Sequence, residues 1–509
     1  MKYILAHDLG TTGNKATLYS ELGELISSSF AGYDSYYSGS SKVEQDPEDW
    51  WNSFCKATSD IINKSNVNPN NIIALGISGQ MMSVVPVDNS GKLLRKAMIW
   101  ADSRSVDQVV FLESIFTKEE IYGITGSRIS PTHQGPKIAW IKKNEPEIYN
   151  KTHKFLQAKD YINLRLTGKM ATDFSDAAMT ALFDINKLQW SSQIIEALDL
   201  DATKLPEVFS STTNLGYIRP DVSKNLGLSK KCQIILGAGD GCSASVGAGA
   251  VNVGDTYIYL GSSSWISTIT EKPLIDREMR LFTGAHAVKG LYFPSGTMQA
   301  GGTSYSWIKN TLFSYLPTRQ QKEDQEIYEY IDRLILECPN YREPIIYLPY
   351  LLGERSPIWN SNARGALIGL SASHEKIDLV KGVIEGVAMN LKWILDTMEE
   401  SLSIGNSIRV IGGVAKSKSW RTILSNVLGK TITVPRNVDE ATSMGAAVIA
   451  GVGSGLFDFS AVNNFINDVV IIKPVEDKKV YYSKLYVIFK KTYSSLIETY
   501  EELADIRKE

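Results

Sequence analysis

Apolar residues near the start of the chain come in strand-length runs at Tyr3–Ala6, Lys15–Tyr19 and Leu25–Phe30, joined by glycine turns at Gly10–Gly13 and Glu21–Glu24. This order predicts an antiparallel meander rather than a βαβ unit. Asp46–Trp50 (DPEDW) predicts a helix start, because Asp46 is a good N-cap, Pro47 fits the first turn, and Glu48 and Asp49 suit its positive end. Ile72–Ile77 reads as a buried strand running into Ser78-Gly79-Gln80-Met81-Met82. Val84–Val87 reads as a further strand, with Asp88–Gly91 as its turn.

The same order returns later. Thr256–Leu260 and Trp265–Ile269 read as strands joined at Gly261–Ser264, a long helix runs from Lys376 to about Ser401, and the strand Ile408–Ile411 leads into Gly412-Gly413. This weak internal duplication predicts two related α/β lobes, divided at 1–248 and 249–509. Gly429 is expected to end a helix before a Thr431–Val434 strand. Gly451–Gly455 is expected to be a loop. Tyr482, Leu485, Phe489, Tyr493 and Leu496 fall at helical spacing and predict a C-terminal packing helix.

Between the halves lies Cys232–Ala250, CQIILGAGDGCSASVGAGA. Gln233–Leu236 reads as a strand, Gly237, Gly239 and Gly241 as a break, and Ser243–Ala250 as a small-residue helix. Asp240 stands alone in the turn, where a carboxylate either caps the following helix or faces a ligand. A dinucleotide turn is excluded on two grounds. Cys242 stands where the third glycine should be, and Asp240 would oppose a pyrophosphate on the helix N-terminus.

Composition narrows the class. The chain has 509 residues, 43% hydrophobic and 21% charged, with a formal net charge of −3. That length predicts two large domains, and the balance predicts neither a nucleic-acid nor a membrane partner. No apolar run approaches the ~18 residues of a membrane span, and the N-terminal apolar run is too short for a signal peptide. Cys55, Cys232, Cys242 and Cys338 are scattered, and the histidines do not cluster, which predicts reduced thiols, no zinc site and a cytoplasmic location.

The glycine turns carry the candidate chemistry. In Asp8-Leu9-Gly10-Thr11-Thr12-Gly13-Asn14-Lys15, glycines admit phosphate oxygens to backbone N–H groups and the threonines add hydroxyls. Asp8 is placed to hold Mg²⁺ through water, and Lys15 adds positive charge. Gly261-Ser262-Ser263-Ser264 offers the same equipment from the second half, with Gly302 a further candidate. Gly412-Gly413-Val414-Ala415 offers bare backbone to a flat ring, followed by Ser417, Trp420 and Asn426. Gln80, Met81, Met82, Trp100, Asp102, Arg104 and Arg128 are candidates for a polyol pocket, with Trp100 as a flat wall and Asp102 and Arg128 orienting hydroxyls. Each of these turns and side chains, taken alone, also has a purely structural reading.

Together the motifs resemble the FGGY family of carbohydrate kinases, and among them the xylulose kinases, from about Tyr3 to Gly455. The matching stretches include DLGTTGNK, EQDPEDWW (Glu44–Trp51), ALGISGQM (Ala74–Met81), IWADSR (Ile99–Arg104), KDYINLRLTG (Lys159–Gly168), GAGDG (Gly237–Gly241) and LPYLLGERSP (Leu348–Pro357). The resemblance implies two ribonuclease-H-like, actin-like ATPase domains facing each other across a catalytic cleft. It implies ATP and Mg²⁺ as cofactors and phosphoryl transfer to a hydroxyl of a ketopentose, D-xylulose foremost. It makes Asp240 the base and, with Asp8, a metal-site acid; Met81-Met82 the sugar-contacting pair; Arg128 a sugar-facing arginine; and Gly412-Gly413 the nucleotide turn. Expected partners are the sugar and MgATP, with a homodimer left open.

Two departures fall in the expected sugar pocket. Met82 stands where xylulose kinases carry histidine, and Gly241 where they carry asparagine. Both remove hydrogen-bonding groups worth ~1–3 kcal/mol each, which leaves another polyol, ketose or sugar acid open as substrate. An actin- or chaperone-like ATPase is the alternative from a different class.

Overall fold

The computed structural model describes residues 1–313, 321–337, 343–436, 438–466 and 469–506. They form two compact α/β units, one of Met1–Val253, Ile269–Pro294 and Glu440–Asn467, the other of Gly254–Thr268, Ser295–Asp439 and Asp468–Glu509. The chain first crosses between them five residues beyond the expected division at 248/249, and it then returns twice to the first unit.

The first unit is built on a six-stranded sheet in the order Asn214–Tyr217, Gln233–Gly239, Ile72–Gly79, Tyr3–Leu9, Gly13–Ser20, Leu25–Gly32. The last three strands form the expected antiparallel meander, and Tyr3–Leu9, Ile72–Gly79 and Gln233–Gly239 run parallel. The second unit repeats the pattern. Tyr292–Met298, Ser264–Thr268 and Thr256–Leu260 pair antiparallel, Ser407–Ile411 and Thr431–Val434 continue in parallel, and Val470–Ile472 closes antiparallel. The duplication visible in the order of turns is therefore a duplication of sheet topology.

Local signals account for several elements. Asp46 caps the helix Pro47–Ser65 by accepting from Glu48 N at 3.0 Å, and that helix buries Trp50, Phe54, Ala57 and Ile61 along one face. Gly429 ends Lys418–Leu428 in the left-handed conformation, as expected. The tail helix Glu476–Ile506 buries Tyr482, Leu485, Phe489 and Tyr493.

Two expectations are corrected. The glycines after Leu236 do not end the strand, which runs through Gly239 with an irregularity between Ile235 and Ala238. Gly237, at φ 77°, absorbs the irregularity. Gly451–Gly455 is not a loop throughout, because Gly451–Gly453 end the helix Ala441–Gly453. That helix is buried against Asp240–Gly247 and the central strands, so packing outweighs the poor helix propensity of glycine. A Cβ on Gly247 would lie 1.7 Å from Ala441 O, and one on Gly445 would lie 1.8 Å from Ser243 O. Only bare α-carbons let these two helix backbones meet.

Candidate functional site

Asp8 sits near the end of Tyr3–Leu9, opposite Lys15 on one side and Ser78 on the other. Its Oδ1 is a buried oxygen with no hydrogen-bond partner. Burial pushes its carboxyl up to about 6, aided by Glu440 and opposed by Ser78 and Lys15. The hairpin beyond it is closed by Gly10 N donating to Gly13 O at 3.0 Å. Lys15 Nζ lies 3.3 Å from Glu440 Oε1. Thr11 is tied to its surroundings twice, its carbonyl accepting from Gln45 Nε2 at 2.7 Å and its hydroxyl from Trp100 Nε1 at 2.9 Å.

Asp240 is the first residue of Asp240–Gly247, and Gly239 occupies the cap position with no side-chain cap bond. The Asp240 carboxylate meets the first turn through Oδ1, which accepts from Gly241 N at 2.7 Å. Surrounding protein and the negative charge of Asp8 push the carboxyl up to about 7. The residue is exposed, and the solvent reaching it works against the first of these influences. Met81 packs directly on this turn, since a Cβ on Gly239 would come within 2.6 Å of Met81 Cε.

Met82 is one of the few non-glycine residues with positive φ, at 64°. Its N–H donates to Gln157 Oε1 at 2.7 Å, and its carbonyl accepts from the buried Lys137 Nζ at 3.2 Å. Gln80 is buried, donates through Nε2 to Gln45 Oε1 at 2.7 Å, and keeps an unpartnered Oε1. Asp102 is buried and committed inward, accepting from Val43 N at 2.8 Å and from Arg104 Nε and Nη2. Arg128 spans to the carbonyls of Met279 and Glu278, at 2.7 and 3.0 Å.

The second unit holds its own pocket, about 610 Å³ in volume, lined by Tyr259, Gly261, Ser262, Gly302, Tyr305, Ser306, Tyr328, Glu329, Asp332, Gly413, Val414, Lys416 and Ser417. Gly302 N donates to Gly261 O at 2.8 Å, and Thr303 N to Ser262 O at 3.1 Å, so the serine hairpin and the start of Gly302–Leu312 form one surface. A Cβ on Gly302 would lie 2.5 Å from Gly261 O, and one on Gly412, at φ 95°, would lie 2.5 Å from Leu260 O. Asn426 faces elsewhere: its Oδ1 accepts from Val475 N at 2.8 Å.

Several contributors have no local sequence signal. Tyr305 and Tyr328 supply aromatic wall, with ring centroids 5.1 Å apart. Asp332 accepts from Ser417 Oγ at 2.5 Å and from the backbone N of Lys418 and Ser419 at 3.0 and 2.8 Å. It thereby fixes the start of Lys418–Leu428 beside the pocket. Gln45, which joins Thr11, Gln80 and Trp50, lies inside the stretch Glu44–Trp51 but carries no local signal of this role.

Among the described residues, no three His, Cys, Asp or Glu side chains gather as a metal cage. Mg²⁺ needs none, because it keeps several waters and is held by one or two carboxylates together with substrate phosphates. The orphaned Asp8 Oδ1 fits that requirement.

Duplicated sheets of this topology, each with a glycine hairpin, define the ribonuclease-H-like fold of the actin-like ATPases. Residues 3–247 match the N-terminal domain, and residues 256–454 the C-terminal domain, of the FGGY family of carbohydrate kinases. The chain belongs to that family. It is 29% identical to a xylulose kinase of Bacillus subtilis over 100% of both chains. It is 28% identical to a gluconokinase of the same organism over 99% of this chain and 98% of the other. The crystal structure of a ligand-bound xylulose kinase from Lactobacillus acidophilus superposes with a TM-score of 0.89 at 28% identity, covering 99% of this chain and 100% of that one.

Proposed function

We propose that this carbohydrate kinase transfers the γ-phosphoryl group of MgATP to a hydroxyl of a ketopentose, converting D-xylulose to xylulose 5-phosphate, with Asp240 as general base. The observation that carries the reading is the state of Asp240: exposed at the head of its helix, with its carboxyl raised by the surrounding protein and by the charge of Asp8. A base with a pKa near the working pH is best suited to accept a proton and later release it. Asp240 takes the hydroxyl proton as the sugar oxygen attacks the γ-phosphorus; the bond from that phosphorus to the β-phosphate oxygen breaks, and ADP leaves.

Gln80, Met81, Met82, Trp100, Asp102, Arg128 and Gly241 are the residues assigned to the sugar side, with Asp102 acting through Arg104 and Val43. Gly10, Thr11, Thr12, Lys15, Gly261, Ser262, Ser263 and Gly302 are assigned to the phosphates. Gly412, Gly413, Val414, Ser417 and Asn426 are assigned to the nucleoside end, Asn426 by anchoring the chain at Val475. Asp8, with Asp240, would hold Mg²⁺, which when bound neutralises phosphate oxygens. The reading includes a cytoplasmic setting, in keeping with free Cys55, Cys232 and Cys242; Cys338 lies outside the described residues. No helix among the described residues is long and apolar enough to cross a membrane.

A second reading, a sugar acid as acceptor, draws on the gluconokinase relative and on the apolar Met82. Coupled detection of ADP across pentuloses, polyols and sugar acids tests both. D-Xylulose should give the highest kcat/KM. A higher value for gluconate would replace the first reading by the second, and ATP consumption indifferent to every sugar would sink both.

A further inference from the structure

Beneath the Asp240 turn lies a buried ionic cluster that the reaction does not use directly. Lys159 Nζ stands 2.7 Å from Asp160, 3.0 Å from Asp173 and 2.9 Å from Asp176, and all four side chains are at most 1% exposed. A charge removed from water this completely is tolerated only when its partners are fixed, so the cluster is a rigid point in the unit. Asp173 is the member that reaches outward. Its Oδ1 takes Lys159, and its Oδ2 accepts from Ser175 Oγ and from Ser211 Oγ, each at 2.6 Å.

Ser175 links the cluster to the turn. Ser175 Oγ donates to Asp173 Oδ2, which places the Ser175 proton on that side. The lone pairs of Ser175 Oγ then point away, and one accepts from Gly239 N at 3.0 Å. Gly239 is the residue before Asp240, at φ −60° and ψ 158°. Its N–H ties the turn to Ser175. Ser211 makes an equally short bond to Asp173, but no side-chain bond from it reaches the turn.

We propose that the chain Lys159–Asp173–Ser175–Gly239 N positions Asp240 for phosphoryl transfer, with Ser175 as the positioning residue. The inference rests on Asp240 being the base. Its consequence is kinetic: without the Ser175 hydroxyl the Gly239 N–H is left unpaired in a buried place, the turn relaxes, and the carboxylate loses its aim at the acceptor hydroxyl. Displacements of about 1 Å at a reacting group lower turnover by ~10–100-fold.

The experiment is steady-state kinetics, with thermal melts, on Ser175→Ala, Ser211→Ala, Asp240→Asn and the Ser175→Ala/Asp240→Asn double variant. Ser175→Ala should lower kcat about tenfold with the KM for MgATP unchanged. Ser211→Ala, which removes an equal bond to the same carboxylate, should stay within about twofold of the parent kcat even if its melt falls by as much. In the Asp240→Asn background, Ser175→Ala should cause no further loss, because there is no base left to aim. Equal losses of kcat in the two serine variants, or an undiminished Ser175 effect in the Asp240→Asn background, would make the cluster merely structural and overturn the proposal. Full turnover in Asp240→Asn alone would overturn the base assignment, and the positioning role with it. Should Ser175→Ala fail to fold, Ser175→Cys is measured by the same criteria, since its thiol fills the space but accepts hydrogen bonds weakly.

Discussion

The thioether of Met81 lies on the bare α-carbon of Gly239, so close that a Cβ there would sit 2.6 Å from Met81 Cε and 2.8 Å from Met81 Sδ. A residue assigned to the sugar and the residue preceding the assigned base are thus in direct contact. Gly239→Ala should displace one of them. We expect kcat/KM for the best sugar to fall at least ~10-fold while the thermal midpoint drops by only a few degrees. An unchanged kcat/KM would show that Met81 yields without consequence for the site.

Asp240→Asn keeps the shape of the side chain and removes its ability to take a proton. Turnover should fall by ~10²–10⁴-fold, with MgATP still bound, as followed by calorimetry. The same assignment sets the sign of the pH dependence. The base works only when ionised, and its carboxyl is raised toward about 7. The kcat of the parent enzyme should therefore decline as pH falls through neutrality, well above the usual carboxylate range, and Asp240→Asn should lack this acid limb.

Asp8 Oδ1 has no protein partner, and the group shares its surroundings with Asp240. Asp8→Ala should cripple turnover and flatten its dependence on Mg²⁺, because the phosphates lose an oriented counter-charge. Identical Mg²⁺ titrations and kcat in parent and variant would reduce Asp8 to a turn residue.

Met82 is held at φ 64° by Gln157 and Lys137, a conformation that histidine tolerates at least as readily. Met82→His should fold with an unchanged thermal midpoint and alter kcat/KM for D-xylulose by no more than about tenfold, or ~1.4 kcal/mol. A much larger gain on D-xylulose, with loss on another sugar, would mean that Met82 packs against an apolar edge of a different substrate.

Gly445 and Gly405 offer a test of packing. A Cβ on Gly445 would lie 1.8 Å from Ser243 O, whereas one on Gly405 meets nothing within 4 Å. Gly445→Ala should destabilise the protein by ~2 kcal/mol or more, and Gly405→Ala by less than ~0.5 kcal/mol, read as shifts in denaturant midpoint. Equal midpoints would show that the two helices can part without cost.

How much of this was legible before folding depends on the range of the interactions. The meander, the Asp46 cap, the Gly429 stop and the tail helix were legible because strand alternation, capping and turn conformation act between residues a few positions apart. The duplicated order of hairpin, helix and strand followed from the same local signals. Motif order along the chain was enough for the family, and Asp8 and Asp240 were visible as carboxylates beside glycine turns.

The tertiary structure alone decided the rest. It made Gly451–Gly453 part of a buried helix, because contact with the Asp240–Gly247 helix replaces the propensity that glycine lacks. It returned 269–294 and 440–467 to the first unit. It brought Asp332 to the start of Lys418–Leu428 and Ser175 to Gly239, pairs separated by tens of residues with no periodicity between them. It also turned Asp102 inward onto Val43, and Asn426 onto Val475. For these polar pairs the physical reason is common: a buried polar group must find its partner wherever the folded chain presents one, and that partner's place in the sequence carries no trace of the meeting.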